Sequence, residues 1–347
     1  MRKITAKICL NCIKRNAFTF QKLTGKPVWA VVKADAYGHG AVEVVNALSG
    51  IADGFAVAIL EEAVEIAQAV CGKDILIFSP PLCEEDALTA IEHGFLLSVT
   101  DYGVALLIDR VARTHKIPVR VHLKANTGMN RYGLTLQTLG KACKLLKRNP
   151  FVSVEGAYSH LYGTSIEQAE KQRERFLKMQ TVCKNYFPRL RYHLSATYGA
   201  LLGDKFTFDF TRIGLGLYGY LPTQETPKKV ALERAMTVYA PVMATRKYLF
   251  GGAGYGEDLT DYSGELSVLR LGYADGVLRK KQNGLHGATA NANPLCMDAC
   301  VRYGRLEKGE LVPILTDAER TAKDCQTVSY EVLCAITHRA QKIYTHD

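Results

Sequence analysis

Eight short apolar runs, separated by stretches with helical spacing, occupy the first two thirds of this 347-residue chain. They fall at residues 28–32, 55–60, 75–78, 95–99, 119–123, 152–158, 190–194 and 206–210. Residues 61–70, 84–93, 104–114 and 136–147 between them read as amphipathic helices, and 166–186 as a longer, charged one. Strands joined through helices make right-handed parallel units, because an antiparallel hairpin needs no such crossover. Eight units in about 200 residues is the size of a (β/α)8 barrel. The alternative, an open doubly wound sheet, expects a G-x-G-x-x-G loop after the first strand, and none follows here. Past residue 235 the pattern changes. Runs at 238–249, 265–271, 295–301 and 311–315 look like strands, Gly-rich turns such as 251–256 separate them, and no helix pattern is evident. The expected fold is therefore α/β: a (β/α)8 barrel over residues 10–232, then a mostly β domain over 233–347. Residues 3–10 are strand-like and precede the barrel, so residues 1–9 are expected to join the β domain.

Composition narrows the class further. The chain is 48% hydrophobic and 22% charged, which suits a globular protein with sizeable cores. Its formal charge of +10 is scattered, with only short clusters such as Lys280-Lys281, and no nucleic-acid motif accompanies it. Neither a nucleic-acid nor a membrane partner is expected, and no metal site is read. No apolar run approaches the ~18 residues that span a bilayer, and Lys7, Asn11, Lys14 and Arg15 interrupt any secretory leader. The ten cysteines are taken as reduced thiols of a cytoplasmic protein, with Cys71, Cys183 and Cys334 as buried small hydrophobes.

The first barrel strand runs into Ala30-Val31-Val32-Lys33-Ala34-Asp35-Ala36-Tyr37-Gly38-His39-Gly40. A lysine at the end of an apolar strand is disfavoured in its charged form, and a neutral amine condenses with aldehydes and accepts protons. Taken alone, Lys33 would sooner be a lysine whose head reaches solvent. The surrounding string, however, resembles the cofactor motif of the alanine racemase family, fold-type III enzymes of pyridoxal 5′-phosphate. The resemblance implies that Lys33 binds the cofactor covalently and that Tyr37 contacts its phosphate.

Further blocks follow in that family's order. Lys124-Ala125-Asn126-Thr127-Gly128-Met129-Asn130-Arg131 is similar to its K-x-D/N-T-G-M-x-R block. This implies that Arg131 reaches the cofactor's phenolic oxygen and the substrate carboxylate, and that Lys124 is a position open to carbamylation. Tyr158-Ser159-His160 implies a histidine, His160, that helps hold the arginine facing the pyridine nitrogen. Thr211-Arg212-Ile213-Gly214-Leu215-Gly216-Leu217-Tyr218-Gly219 resembles the family's R-x-G-x-x-x-Y-G block, and Arg212 is that arginine. An arginine cannot take the place of a carboxylate there, since its pKa exceeds ~12, so the ring nitrogen stays unprotonated and the electron sink is weaker. The backbone NH groups of Gly214 and Leu215 would receive phosphate oxygens, because glycine permits the close approach. Upstream, Thr197 stands where the family has a phosphate-binding serine. Its segment is closer to the vancomycin-resistance serine racemase branch.

Racemisation removes a proton from one face and returns one to the other, which a second acid/base serves best. Gly251-Gly252-Ala253-Gly254-Tyr255-Gly256 resembles the family segment with a catalytic tyrosine acting across a dimer interface. Tyr255 is thus the expected second base, in a homodimer with shared active sites. Leu271-Gly272-Tyr273-Ala274-Asp275-Gly276, Cys296-Met297-Asp298 and Ser329-Tyr330-Glu331-Val332 are similar to three more family blocks. They imply that Met297 contacts the substrate carboxylate in the partner's site, and that Tyr330 touches the phosphate and limits the pocket. The stretch 279–294 is short and irregular, Ala299 departs from the family's usual polar residue, and 338–342 lacks its R-x-P-R ending. The resemblance implies an alanine racemase that supplies D-alanine for peptidoglycan. A serine or broad-specificity racemase, or a non-catalytic pyridoxal-phosphate carrier, are the alternatives; Tyr330 favours alanine, and the carriers lack a β domain.

Overall fold

The computed structural model describes residues 3–163, 165–222, 225–253, 262–278 and 292–347. Strand β1 (Thr5–Cys9) passes without a loop into the helix Leu10–Thr24. Eight parallel strands follow: β2 (Val28–Val31), β3 (Gly54–Val57), β4 (Asp74–Ile77), β5 (Leu96–Val99), β6 (Val119–Lys124), β7 (Val152–Tyr158), β8 (Arg191–His193) and β9 (Thr211–Ile213). They bond in the order β8-β7-β6-β5-β4-β3-β2-β9, so the ring is nearly closed. Across the seam between β8 and β9, the Asp209 N–H donates to the Tyr192 carbonyl (3.0 Å) and the Arg212 N–H to that of Ser195 (2.9 Å). Every residue of β2, β3 and β5 is buried, as parallel strands covered on both faces must be. At the amino ends of the strands, Arg120 bonds Asp74 and Glu155, each at 2.7 Å, and the Arg191 guanidinium lies 5.5 Å from the Trp29 ring. Charged groups thus close that end, leaving the carboxyl ends for the site.

The eighth strand is not the apolar run 206–210. Phe206 ends a 3-10 turn, and Phe210 stacks on Trp29 (4.6 Å) and His193 (4.2 Å). Those aromatics are apolar because they fill the barrel interior, while the paired strand is the next three residues, with Arg212 at their centre.

The second sheet contains β10 (Met236–Lys247), β11 (Glu265–Leu269), β12 (Ala292–Leu295), β13 (Cys300–Tyr303), β14 (Leu311–Leu315) and β15 (Gln341–Thr345). Its order is β12-β13-β11-β10-β1-β15, with β14 on β10. As expected, β1 belongs to it, antiparallel to β10 and parallel to β15. Residues 295–301 are not one strand: Leu295 ends β12, 296–299 form the hairpin turn, and Cys300 and Val301 begin β13. Two helices, Ala318–Asp324 and Ser329–Ile336, stand where no helical pattern was evident. Each is only two turns long, too short for apolar periodicity to stand out; the first is marked instead by Asp317, whose carboxylate accepts the Glu319 N–H at 2.9 Å.

The cysteine expectation also changes. Cys9 and Cys12 are a Cys-x-x-Cys pair, and their sulfurs are bonded. Cys183 is buried, but Cys71 is exposed and Cys334 lies between.

Candidate active site

The chain leaves β2 in an unusual turn. Ala34, Asp35, Ala36 and Tyr37 all have positive φ, at 52°, 52°, 53° and 55°. A left-handed turn of L-residues costs about 1–2 kcal/mol per residue, so it persists only where contacts impose it. Here Glu62 accepts the Ala34 N–H (2.7 Å) and Asp35 accepts the Ala41 N–H (2.7 Å). Asp35 also pairs with Lys342 of β15, and His39 Nδ1 lies 3.0 Å from the carbonyls of Ala36 and Tyr37. At Gly38 a Cβ would stand 2.6 Å from the Leu333 carbonyl, so glycine lets the helix Ser329–Ile336 pack directly on the turn. The winding brings Lys33 and Tyr37 into one cavity, and the packed helix adds Tyr330.

That cavity, about 470 Å³, lies at the carboxyl ends of the strands. Lys33, Tyr37, Lys124, Arg131, His160, Thr197, Arg212, Gly214, Leu215 and Tyr330 all line it, so ten residues singled out from the sequence converge. Lys33 is half-buried, and its pKa lies below the ordinary lysine value, through burial first and then the charge of Arg131. Lys124 is more deeply placed, 8% exposed, with Nζ 4.6 Å from the Tyr158 ring. Burial, then Arg212 and Arg131, hold its pKa well below normal. Arg131 is exposed at the cavity rim.

Arg212 is 2% exposed and, among the described residues, meets no carboxylate. Its guanidinium donates to His193 Nδ1 (2.5 Å) and to the carbonyls of Ser159 (2.7 Å) and Leu194 (3.2 Å). Burial lowers its pKa to about 10, which still leaves it charged at neutral pH. Because a guanidinium has no acceptor, it fixes the protons beyond it. His193 Nδ1 must accept, so Nε2 carries the hydrogen and donates to His122 Nδ1 at 2.9 Å. His122 Nε2 then carries a hydrogen too, and that buried atom has no partner among the described residues. Burial is the chief cause that keeps both rings neutral, His122 with a pKa of about 3 and His193 well below normal. The Tyr158 ring stacks on His193 at 4.8 Å, and its hydroxyl meets Ser98 Oγ at 2.8 Å. His160 lines the cavity, and among the described residues no hydrogen bond joins it to Arg212. Sequence reasoning missed His193 and His122. A signal existed, since His122 and Lys124 are two apart on β6 and therefore share a face.

The other lining groups are hydroxyls and backbone. The Tyr37 hydroxyl lies where a Cβ on Gly214 would collide with it, so only glycine permits the approach. Thr197 Oγ1 accepts the Gly216 N–H at 3.1 Å, which ties the threonine to the 3-10 turn Leu215–Tyr218. The Tyr330 ring stands 5.8 Å from that of Tyr37.

In the second sheet's region, the Tyr273 and Ala274 N–H groups donate to the carbonyls of Cys296 (3.1 Å) and Met297 (3.0 Å). Met297 is 53% exposed and does not line this chain's cavity. Tyr255 lies outside the described residues, as do 279–291 of the irregular segment.

The profile described as "Alanine racemase, N-terminal domain" matches residues 8–222, and "Alanine racemase, C-terminal domain" matches 235–344. The chain belongs to the alanine racemase family. An alanine racemase of Listeria monocytogenes serotype 4b is 31% identical over 342 residues, covering 92% of this chain and 91% of the relative. One from Prochlorococcus marinus is 29% identical over 364 residues, covering 96% and 94%. Among solved structures, alanine racemase of Clostridium difficile 630 superposes with a TM-score of 0.90 at 26% identity, covering 99% of this chain and 96% of that one. That of E. faecalis gives 0.88 at 26%, covering 99% and 98%.

Against this family background, the departure at 338–342 has a structural counterpart. Arg339 pairs with Asp275 (3.3 Å) and Asp298 (3.2 Å), so one side chain ties together the two alanine-racemase blocks around Gly272–Gly276 and Cys296–Asp298.

Proposed function

We propose that this chain is a pyridoxal 5′-phosphate-dependent alanine racemase, interconverting L- and D-alanine by two bases. The observation that carries the reading is the convergence of Lys33, Tyr37, Arg212 and Gly214 on one cavity at the barrel mouth. The residues present fit the cofactor: a depressed-pKa amine for its aldehyde, a buried arginine with no carboxylate partner among the described residues for its pyridine nitrogen, and a glycine cradle for its phosphate. Tyr37, Thr197, Tyr330 and the backbone NH groups of Gly214 and Leu215 would hold the phosphate. When bound, this group withdraws electrons from the substrate Cα–H bond and makes its hydrogen acidic.

The chain's own groups then do the rest. Lys33, whose pKa is lowered by burial and by Arg131, takes or returns the proton at Cα on one face. Tyr255 of a second subunit serves the other face, in a homodimer whose Met297 contacts the substrate carboxylate across the interface. Arg131 binds that carboxylate. Lys124, whose pKa burial holds well below the ordinary lysine value, is suited to carbamylation, and the negative group so formed would orient Arg131. Arg212 stays charged and gives no proton to the ring nitrogen, which limits side reactions. His160 packs beside this arginine pair at the cavity wall. In this reading the barrel runs over 10–232 and the β domain over 233–347 with 1–9. D-alanine is the product for peptidoglycan, made in the cytoplasm.

Thr197 raised the serine alternative, but its hydroxyl is tied to the Gly216 turn, so the change bears on cofactor anchoring rather than on the substrate. Turnover of L-alanine and L-serine measured side by side should favour alanine, and a clear serine preference would reject that assignment. Borohydride reduction of the yellow enzyme should label Lys33; a label elsewhere overturns the cofactor placement.

A further inference from the structure

Cys9 and Cys12 lie where β1 becomes the helix Leu10–Thr24, away from the cavity. Cys9 is the N-cap of this 15-residue helix, and its Sγ accepts the Cys12 N–H at 3.0 Å. One turn on, Arg15 brings Nη2 to 3.4 Å from Cys12 Sγ, while the same guanidinium is held by Glu233 at 2.6 Å and by the Asp347 carbonyl at 3.3 Å. The sulfurs are bonded to each other.

Three physical points bear on this pair. A thiolate here is favoured by the helix N-terminus, by a backbone N–H and by a fixed guanidinium. Both sulfurs therefore become good nucleophiles and good leaving groups at neutral pH. The bridge closes so short a loop that it restricts the unfolded chain little, so it is poorly suited to be a staple for the fold. Finally, the capping N–H bond to Cys9 can hold the same backbone whether or not the bridge exists.

We propose that Cys9–Cys12 is a thiol–disulfide exchange site, taking low-molecular-weight disulfides and dithiols as its reactants. Cys9 is half-buried and Cys12 only 9% exposed, so Cys9 is the attacking and attacked sulfur. In the oxidising direction the Cys9 thiolate attacks one sulfur of the small disulfide. That S–S bond breaks and one thiolate leaves. Cys12, its proton lost to water, then attacks Cys9 Sγ, expels the second thiolate and closes the bridge. Two electrons pass from the protein to the reagent, and the two expelled thiolates take up protons from water. A dithiol drives the reverse, its own two sulfurs ending as the disulfide.

The test needs no turnover. Full-length protein is equilibrated in reduced and oxidised glutathione at graded ratios, quenched with acid, alkylated and digested with trypsin. Cleavage after Lys7 and Lys14 places both sulfurs in one peptide, residues 8–14. In oxidised mixtures this peptide should escape alkylation and weigh two hydrogens less than the free dithiol, in reduced ones it should carry two alkyl groups, and exposed Cys71 and Cys83 should carry glutathione in the oxidised mixtures. In Cys12→Ser, which removes the resolving sulfur, Cys9 should accumulate the glutathione adduct about tenfold over the parent. The proposal is overturned if both sulfurs of the parent remain alkylated in every mixture. It is equally overturned if Cys9 of the parent carries as much adduct as the variant.

Discussion

Arg212 is the residue whose surroundings decide most, because its fixed donors set the protons of two histidines behind it. His122 is the last acceptor in that line. Replacing it by leucine leaves the His193 N–H buried and unpaired, a cost of about 1–3 kcal/mol. His122→Leu should therefore lower kcat by roughly tenfold, with KM less changed, as His193 shifts and Arg212 loses its aim. His122→Gln offers an amide oxygen and should recover much of the loss. Equal kcat in the two variants would show that the acceptor is irrelevant. Lys33 admits a second test at this scale. Burial and Arg131 lower its pKa, while the charge of Glu62 opposes them. Glu62→Gln removes the opposing charge, so the lysine should deprotonate at still lower pH. The acid limb of the kcat profile, in which the lysine is a free amine, should move down in pH; movement upward would contradict the electrostatic account.

The left-handed turn after β2 is the element that makes the site, and its strain can be measured. Ala34 is exposed with φ and ψ both 52°. Glycine there escapes a penalty of about 1–2 kcal/mol, against roughly 0.4–1 kcal/mol of added unfolded-state entropy. Ala34→Gly should raise the urea midpoint slightly, whereas β-branched Ala34→Val should lower it. A marked loss with glycine would mean that the turn is unstrained. Nothing in Lys33-Ala34-Asp35-Ala36-Tyr37 announces this winding, since it contains no glycine and its partners Glu62, Lys342 and Leu333 are distant in sequence. Seven of the eight barrel strands were legible because strands buried on both faces are apolar throughout. The eighth was misplaced by a few residues, because its own core residue is the charged Arg212 while the neighbouring Phe206 and Phe210 serve packing. The site residues were legible as blocks in family order. The histidine line behind Arg212 left only a weak signal, His122 and Lys124 two apart on β6, and its proton order depends on which atoms meet; the Cys9-x-x-Cys12 spacing stood in the sequence, but the bond between its sulfurs did not.

At the scale of the whole molecule, the barrel buries His39, His122 and His193 uncharged, and this links stability to pH. His39 and His122 are both fully buried, with pKa values lowered to about 4 and about 3, burial being the largest cause in each. His160 and His193 are lowered in the same direction and by the same cause. In the unfolded chain each titrates near ~6.5. Above that value neither state is protonated, and pH has no effect through these groups. Below it the unfolded chain takes up protons that the fold refuses, so stability falls as pH drops. The fall continues until the folded pKa is reached, near 4 for His39 and 3 for His122. Each such histidine contributes a slope approaching 1.4 kcal/mol per pH unit, roughly, within that window. The cofactor-free protein should thus show a nearly level urea midpoint above pH 8, roughly 1.5 units beyond the free histidine value, and a steepening decline from pH 6 to 5. His122→Gln should remove about one proton's share of that decline. A midpoint that stays level down to pH 5 would mean that these histidines are protonated in the fold, and the proton order deduced from Arg212 to His122 would then be wrong.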